Sequence, residues 1–172
     1  NIYNLHMPEL PEIEIVKKSL YKMINKAKIT DVIIKNKNLR YKIPNNFSRN
    51  LIGEKILKIS RRSKYLIFHF EKKLVLVHLG MSGKLILKKN NNKKLLKISF
   101  YYDLNILSKH NHIYFKLNNG FILIYNDVRR FGFFKLYKNI NFDKIAFLKK
   151  LGLEPFNKLF NKIYFKKFIK NR

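Results

Sequence analysis

The sequence predicts an α+β fold: an N-terminal helix on an antiparallel β-sandwich, followed by two C-terminal helices. Three observations carry this. Apolar residues near the start recur at three- and four-residue spacing, short β-branched and aromatic runs fill the middle, and the helical spacing returns after Asn141. At 172 residues and 47% hydrophobic, the chain is long enough for one domain with a core and too short for two of ordinary size.

Ile13, Val16, Leu20, Met23, Ile24 and Ala27 lie on one helical stripe, with Lys17, Lys18, Lys22 and Lys26 between them. Pro11 suits the first turn, and Glu12 and Glu14 suit the positive end of the helix dipole, so the helix begins just after Pro8 and Glu9. Residues 29–34, 55–59, 65–70 and 74–79 then read as strands. Glu71-Lys72-Lys73 is expected to connect a hairpin, and Asn118-Asn119-Gly120 marks a tighter turn between strands at 113–117 and 121–125. A last strand is expected over 131–137. The tract from Asn90 to Ser108 is polar at its start and reads as a surface excursion. Ile145, Phe147, Leu148 and Leu151 form a short helix stopped by Gly152, and a second helical stretch covers 159–169.

The formal charge of +28, from 38 Lys and Arg against 10 Asp and Glu, attracts polyanions, nucleic acid first among them. Part of that charge has another source. Lys, Asn, Ile, Phe and Tyr are abundant together and share AT-rich codons, so charge alone leaves both a nucleic-acid binder and a compositionally biased ordinary protein open. The absence of cysteine excludes disulfides and cysteine-ligated metal sites within these residues. No apolar run has the length of a signal peptide core or a membrane span, so a cytoplasmic monomer without a membrane partner is expected.

Three segments combine polar groups with backbone-restricting residues at element boundaries. The first is Met7-Pro8-Glu9-Leu10-Pro11-Glu12. It reads plainly as a helix start. It also offers chemistry, because removal of an initiator Met before a small residue leaves a free proline amine, a nucleophile for an aldehyde-like carbon, with Glu9 beside it to give or take a proton. The second, Arg61-Arg62-Ser63-Lys64-Tyr65, is either a solvated strand end or a phosphate-binding run in which Lys64 transfers a proton. The third is a pair of loops, His78-Leu79-Gly80-Met81-Ser82-Gly83 and Asn126-Asp127-Val128-Arg129-Arg130-Phe131-Gly132. These are either packed turns or tools for base flipping, with an exposed Met and Phe as wedges and an Arg to fill the vacated space.

Taken together and in this order, these motifs resemble the formamidopyrimidine-DNA glycosylase family. The similarity runs from Met7 to the end of the chain and includes Lys109-His110-Asn111-His112 and Leu151-Gly152-Leu153-Glu154-Pro155. The resemblance implies a bifunctional DNA glycosylase and AP lyase of base-excision repair, with damaged double-stranded DNA as its partner. Pro8 would displace the base and hold the sugar as a Schiff base, Glu9 would donate a proton, and Lys64 would assist β-elimination. Met81, Arg129 and Phe131 match the residues that fill the gap, His110, Arg129 and Arg172 match DNA contacts, and Glu12 matches an acidic residue near the lesion pocket. Leu10 and the form of the two loops depart from the endonuclease eight branch, which implies oxidised purines, 8-oxoguanine and formamidopyrimidines, as lesions.

Two departures accompany the resemblance. Residues 1–7 precede Pro8, and a proline nitrogen within a peptide bond has no usable lone pair, so either Met7 is the true start or this form is inert. The family also continues beyond this length into a helix-two-turn-helix element and a zinc finger. The expected organisation is therefore an extension at 1–7, a catalytic β-sandwich at 8–150 and the start of a linker at 151–172, with no metal or other cofactor in this chain. The alternative is a non-catalytic basic nucleic-acid-binding fragment, or a decaying gene product that lost its C-terminal domain.

Overall fold

The computed structural model describes residues 8–89, 95–96, 106–138 and 144–169. It is an α+β fold whose antiparallel strands form two sheets. Helix α1 (Leu10–Ile24) turns Ile13, Val16, Leu20 and Ile24 into the core. Each such burial contributes roughly 1.5–3 kcal/mol. The predicted stripe runs on to Ala27, but the helix stops earlier. Lys26 takes a left-handed backbone (φ 68°), and residues 26 and 27 pair with Ile56 through Lys26 N–H to Ile56 O at 2.8 Å and Ile56 N–H to Ala27 O at 2.9 Å. Ala27 is buried through this pairing rather than as part of the helix.

One sheet orders β1 (Ile29–Ile34), β7 (Asn111–Leu117), β8 (Phe121–Asp127), β5 (Gly83–Lys89) and β6 (Leu95–Leu96). The other orders β2 (Lys58–Arg62), β3 (Tyr65–His69), β4 (Lys73–His78) and β9 (Phe133–Lys138). Leu66, Phe68, Val75, Val77 and Phe134 from the second sheet share one buried cluster with Leu85, Leu87, Phe115, Leu123 and Tyr125 from the first. The alternation of inward apolar residues along paired strands is what fixes the register.

The strand at 29–34 and the hairpins at 70–73 and 117–121 match the sequence expectation. Four elements do not. Strand β2 starts at Lys58 instead of Lys55, because residues 55 and 56 pair with the segment after α1. Strand β9 starts at Phe133 instead of Phe131, because a left-handed Arg130 (φ 58°) keeps the preceding residues in the loop. Strand β5 and the short helix α2 (Phe47–Leu51) were not expected at all. Strand β5 is a Leu-Ile-Leu run between lysines without the β-branched enrichment that signals a strand, and five residues are too few to show a helical period. Most of the expected excursion, residues 90–94 and 97–105, lies outside the described residues.

Residues 140–172 form a separate compact unit. Within it, α3 (Ala146–Lys149) is a single turn and α4 (Lys162–Ile169) starts three residues after the sequence expectation. Asn161 sets that start: its Oδ1 accepts the N–H groups of Ile163 at 3.1 Å and Tyr164 at 3.0 Å, as an N-cap does. Among the described residues no helix is long and apolar enough to cross a membrane.

Candidate active site and nucleic-acid interface

The topology gathers the candidate residues at one end of the sandwich. Strands β4 and β9 are neighbours in one sheet, and β5 and β8 are neighbours in the other. Two of the chain's crossings between the sheets therefore run side by side: through residues 79–82 from β4 to β5, and through 128–132 from β8 to β9. His78 pairs with Phe133 on one side of these crossings, and Gly83 pairs with Asp127 on the other. Tyr65, the first residue of β3, pairs with His78, so the β2–β3 turn carrying Ser63 and Lys64 lies at the same end.

Helix α1 begins beside that turn. Pro8 is buried, Glu9 is the exposed N-cap, and Glu12 Oε2 accepts the Glu9 backbone N–H at 3.0 Å to close a capping box. Lys64 Nζ donates to Glu9 Oε1 at 3.3 Å. The two acid–base candidates thus meet across 55 residues of sequence. The turn itself is braced. Ser63 is left-handed (φ 51°), and its carbonyl accepts from Arg61 Nη1 at 3.0 Å while Arg61 Nε donates to Glu14 Oε2 at 2.8 Å. Burial raises the Glu14 carboxyl pKa, but hydrogen bonds and charge from Lys17 and Arg61 outweigh it and hold the group below its usual range.

The two crossing loops are pressed together, and glycine permits it. A Cβ on Gly80, which is left-handed at φ +70°, would stand 2.6 Å from both Gly132 N and Phe131 C. A Cβ on Gly132 would collide with the Tyr125 hydroxyl and the His78 carbonyl. This contact sets the loop that carries Met81 against the loop that carries Arg129 and Phe131. Phe131 is 44% exposed and the Arg129 guanidinium carbon lies 4.5 Å above its ring centre, a cation–π pair, whereas Met81 is half-buried rather than exposed as expected. Beside them an open cleft of about 610 Å³ is lined by Asn38, Leu39, Arg40, Arg129, Arg130 and Phe131.

His78 links the two groups. Its Nδ1 accepts the Gly80 N–H at 3.0 Å, and its ring stacks on Phe133 and meets Tyr65 at 5.1 Å. Burial, reinforced by the charges of Lys64 and Arg40, lowers its pKa and keeps it neutral at pH 7. His110 lies in a 3-10 turn directly before β7, whose first residue Asn111 pairs with Asn126, so it too belongs to this end. Arg172 lies outside the described residues. Sequence reasoning overlooked Glu14, Arg61 as a brace, Arg40, His78 and Asp127 as site residues. None of these carries a local signal, since burial, as of Asp127, and long-range pairing, as of Arg61 with Glu14, are not written in contiguous residues.

A family model, the formamidopyrimidine-DNA glycosylase N-terminal domain, matches residues 7–134. The formamidopyrimidine-DNA glycosylase of Bartonella tribocorum is 41% identical over 171 residues, which cover 96% of this chain and 57% of that protein. That of Rickettsia conorii is 40% identical over 161 residues, with 93% and 54% covered. Among solved structures, the Lactococcus lactis Fpg complex with DNA containing an abasic site superposes with a TM-score of 0.76 at 31% identity, covering 94% of this chain and 56% of that one. A complex of the wild-type L. lactis enzyme with DNA containing N7-benzyl-Fapy-dG gives 0.64 at 32% identity, covering 77% and 44%. The chain thus spans little more than half the length of the relatives it matches. On the strength of the matched domain, these identities and the shared fold, the chain belongs to the formamidopyrimidine-DNA glycosylase family.

Proposed function

We propose that the protein excises oxidised purines, 8-oxoguanine and formamidopyrimidines, from duplex DNA and then cleaves the strand at the resulting site. The observation that carries this is the meeting of Glu9 and Lys64 beside Pro8, at the end of the sandwich whose two crossing loops carry Met81, Arg129 and Phe131. With residues 1–7 absent, Pro8 has a secondary amine whose lone pair attacks C1′ of the damaged nucleotide. The glycosidic C–N bond breaks and the base leaves with its electron pair and a proton. Glu9 supplies a proton to the opening sugar, and the remaining C1′–N bond becomes an iminium. Lys64 assists removal of a proton from C2′, and the electron pair expels the 3′ phosphate. Water then hydrolyses the iminium and frees Pro8.

Met81 and Phe131 supply the apolar surface that offsets unstacking, and Arg129 fills the space left by the extruded nucleotide. This reading gives His110 and Arg172 contacts to DNA and puts Glu12 near the lesion. The zinc finger of the family needs cysteine thiolates, and none of these 172 residues is a cysteine.

Borohydride trapping on abasic DNA tests the reading, because it reduces the iminium to a stable amine. In a protein carrying the C-terminal part found in its relatives, a Pro8 terminus is expected to trap and the form with residues 1–7 attached is not. Lys64→Ala is expected to keep trapping while losing strand cleavage, on the order of a hundredfold for a lost proton-transfer group. Equal trapping by both N-termini overturns the proline mechanism. No trapping by either leaves the basic nucleic-acid-binding module as the better reading.

A further inference from the structure

Asp127 plays no part in the chemistry above, yet it is fully buried and its carboxylate is fully engaged. Oδ1 accepts from the Ser82 hydroxyl and, at 3.2 Å, from the Arg129 backbone N–H. Oδ2 accepts from the Tyr125 hydroxyl at 2.7 Å and the Gly132 N–H at 2.9 Å. Ser82 Oγ also accepts the Arg129 N–H, at 3.0 Å, and the Asp127 carbonyl meets His112 Nε2 at 2.7 Å. Tyr125 and His112 lie on β8 and β7, while three of these donor residues, Ser82, Arg129 and Gly132, come from the two crossing loops. Ser82 belongs to the one that carries Met81, and Arg129 and Gly132 belong to the one that carries Phe131.

We propose that Asp127 is a positioning residue that, through Ser82, locks the two loops into one body, so that Met81, Arg129 and Phe131 enter the base stack as a single wedge. The inference deepens the wedge reading given above and rests on it. A wedge works only if the base stack yields before the wedge does, and unstacking is costly. Two short loops without mutual hydrogen bonds would part under that load. A carboxylate suits the tie because charge-assisted hydrogen bonds are about twice as strong as neutral ones, and its two oxygens accept from several directions at once. Gly80 and Gly132 remove the side chains that would otherwise hold the loops apart.

The test uses the 172-residue chain with Ser82→Ala, Asp127→Asn and Phe131→Ala. Amide hydrogen exchange is measured alongside the ratio of affinities for a duplex bearing an abasic-site analogue and for the same strand unpaired. Ser82→Ala is the milder tie variant, so the test stands even if Asp127→Asn does not fold. Its exchange is expected to rise roughly tenfold at Arg129 and Gly132, in the opposite loop, while the core of β4 stays protected. The duplex preference is expected to fall as far as in Phe131→Ala, and the combination of Ser82→Ala with Phe131→Ala is expected to add little, as for residues acting as one unit. Unchanged exchange at Arg129 and Gly132, or additive losses, overturns the tie. If Phe131→Ala leaves the ratio unchanged, the wedge reading itself fails, and the exchange measurement separates that failure from failure of the tie.

Discussion

At the scale of single residues, His78 and His69 make the fold sensitive to acid. His78 accepts a hydrogen bond at Nδ1 from Gly80, which a protonated ring could not do. His69 faces Ser60 Oγ through Nε2 at 2.6 Å. Burial, helped by Lys64 and Arg40 for His78 and by Lys58 for His69, lowers both pKa values below the ordinary 6.5. Between the folded and unfolded values the unfolded chain binds more protons, so stability rises with pH across that window. Their contribution is whole above about pH 6.5 and is lost as pH falls toward the folded values. Glu14 acts in the same direction further down, since its depressed carboxyl stabilises above the unfolded value and stops doing so as pH falls through the folded one. Urea midpoints are expected to drop between pH 7 and pH 5. The drop should shrink in a His69→Gln, His78→Asn double variant, in which Asn keeps an acceptor without titrating. A double variant as acid-sensitive as the unaltered protein would contradict this.

At the scale of elements, the paired crossings depend on close backbone approach, and Gly80 is the position where this is most exacting. An L side chain there meets two penalties. The left-handed backbone costs about 1–3 kcal/mol for a non-glycine residue. The added methyl also meets backbone at 2.6 Å, where no flexible side chain can give way. Gly80→Ala is therefore expected to lower unfolding free energy by at least about 2 kcal/mol and to expose the 79–82 and 128–132 loops to proteolysis first. Gly120→Ala is the comparison. It shares a positive φ of +80° but has open space around its would-be Cβ, so it should lose stability without loosening those loops. Equal loop protection in both variants would show that the contact at Gly80 is dispensable.

At the scale of the whole molecule, a charge of +28 predicts that DNA affinity, under the function proposed above, is governed by counterion release. Affinity of the 172-residue chain for intact and lesion-bearing duplex is expected to fall steeply and in parallel as salt rises. Fluorescence anisotropy from 50 to 200 mM salt measures it, with a loss of about a thousandfold or more if six phosphates are neutralised. A shallow slope would mean that the lysines are spread as solvated surface rather than arranged as an interface.

The sequence by itself determined the fold class, the first helix, the strand at 29–34, the hairpin at Asn118-Asn119-Gly120 and the motifs that identify the family. Each is written in local terms, as periodicity, turn residues or contiguous motifs, which a linear reading can follow. What only the tertiary structure decided is which of these residues meet. Glu9 reaches Lys64 across 55 residues, Glu14 reaches Arg61 across 47, and Ser82 reaches Asp127 across 45. Strand β5, without a clear signal of its own, is a strand because β8 on one side and β6 on the other satisfy its backbone. The physical reason is that strand order in a sandwich is set by nonlocal hydrogen bonding and burial. Two crossings that each join a strand of one neighbouring pair to a strand of the other, β4 to β5 and β8 to β9, must then run side by side, and a buried carboxylate between them can tie distant loops together.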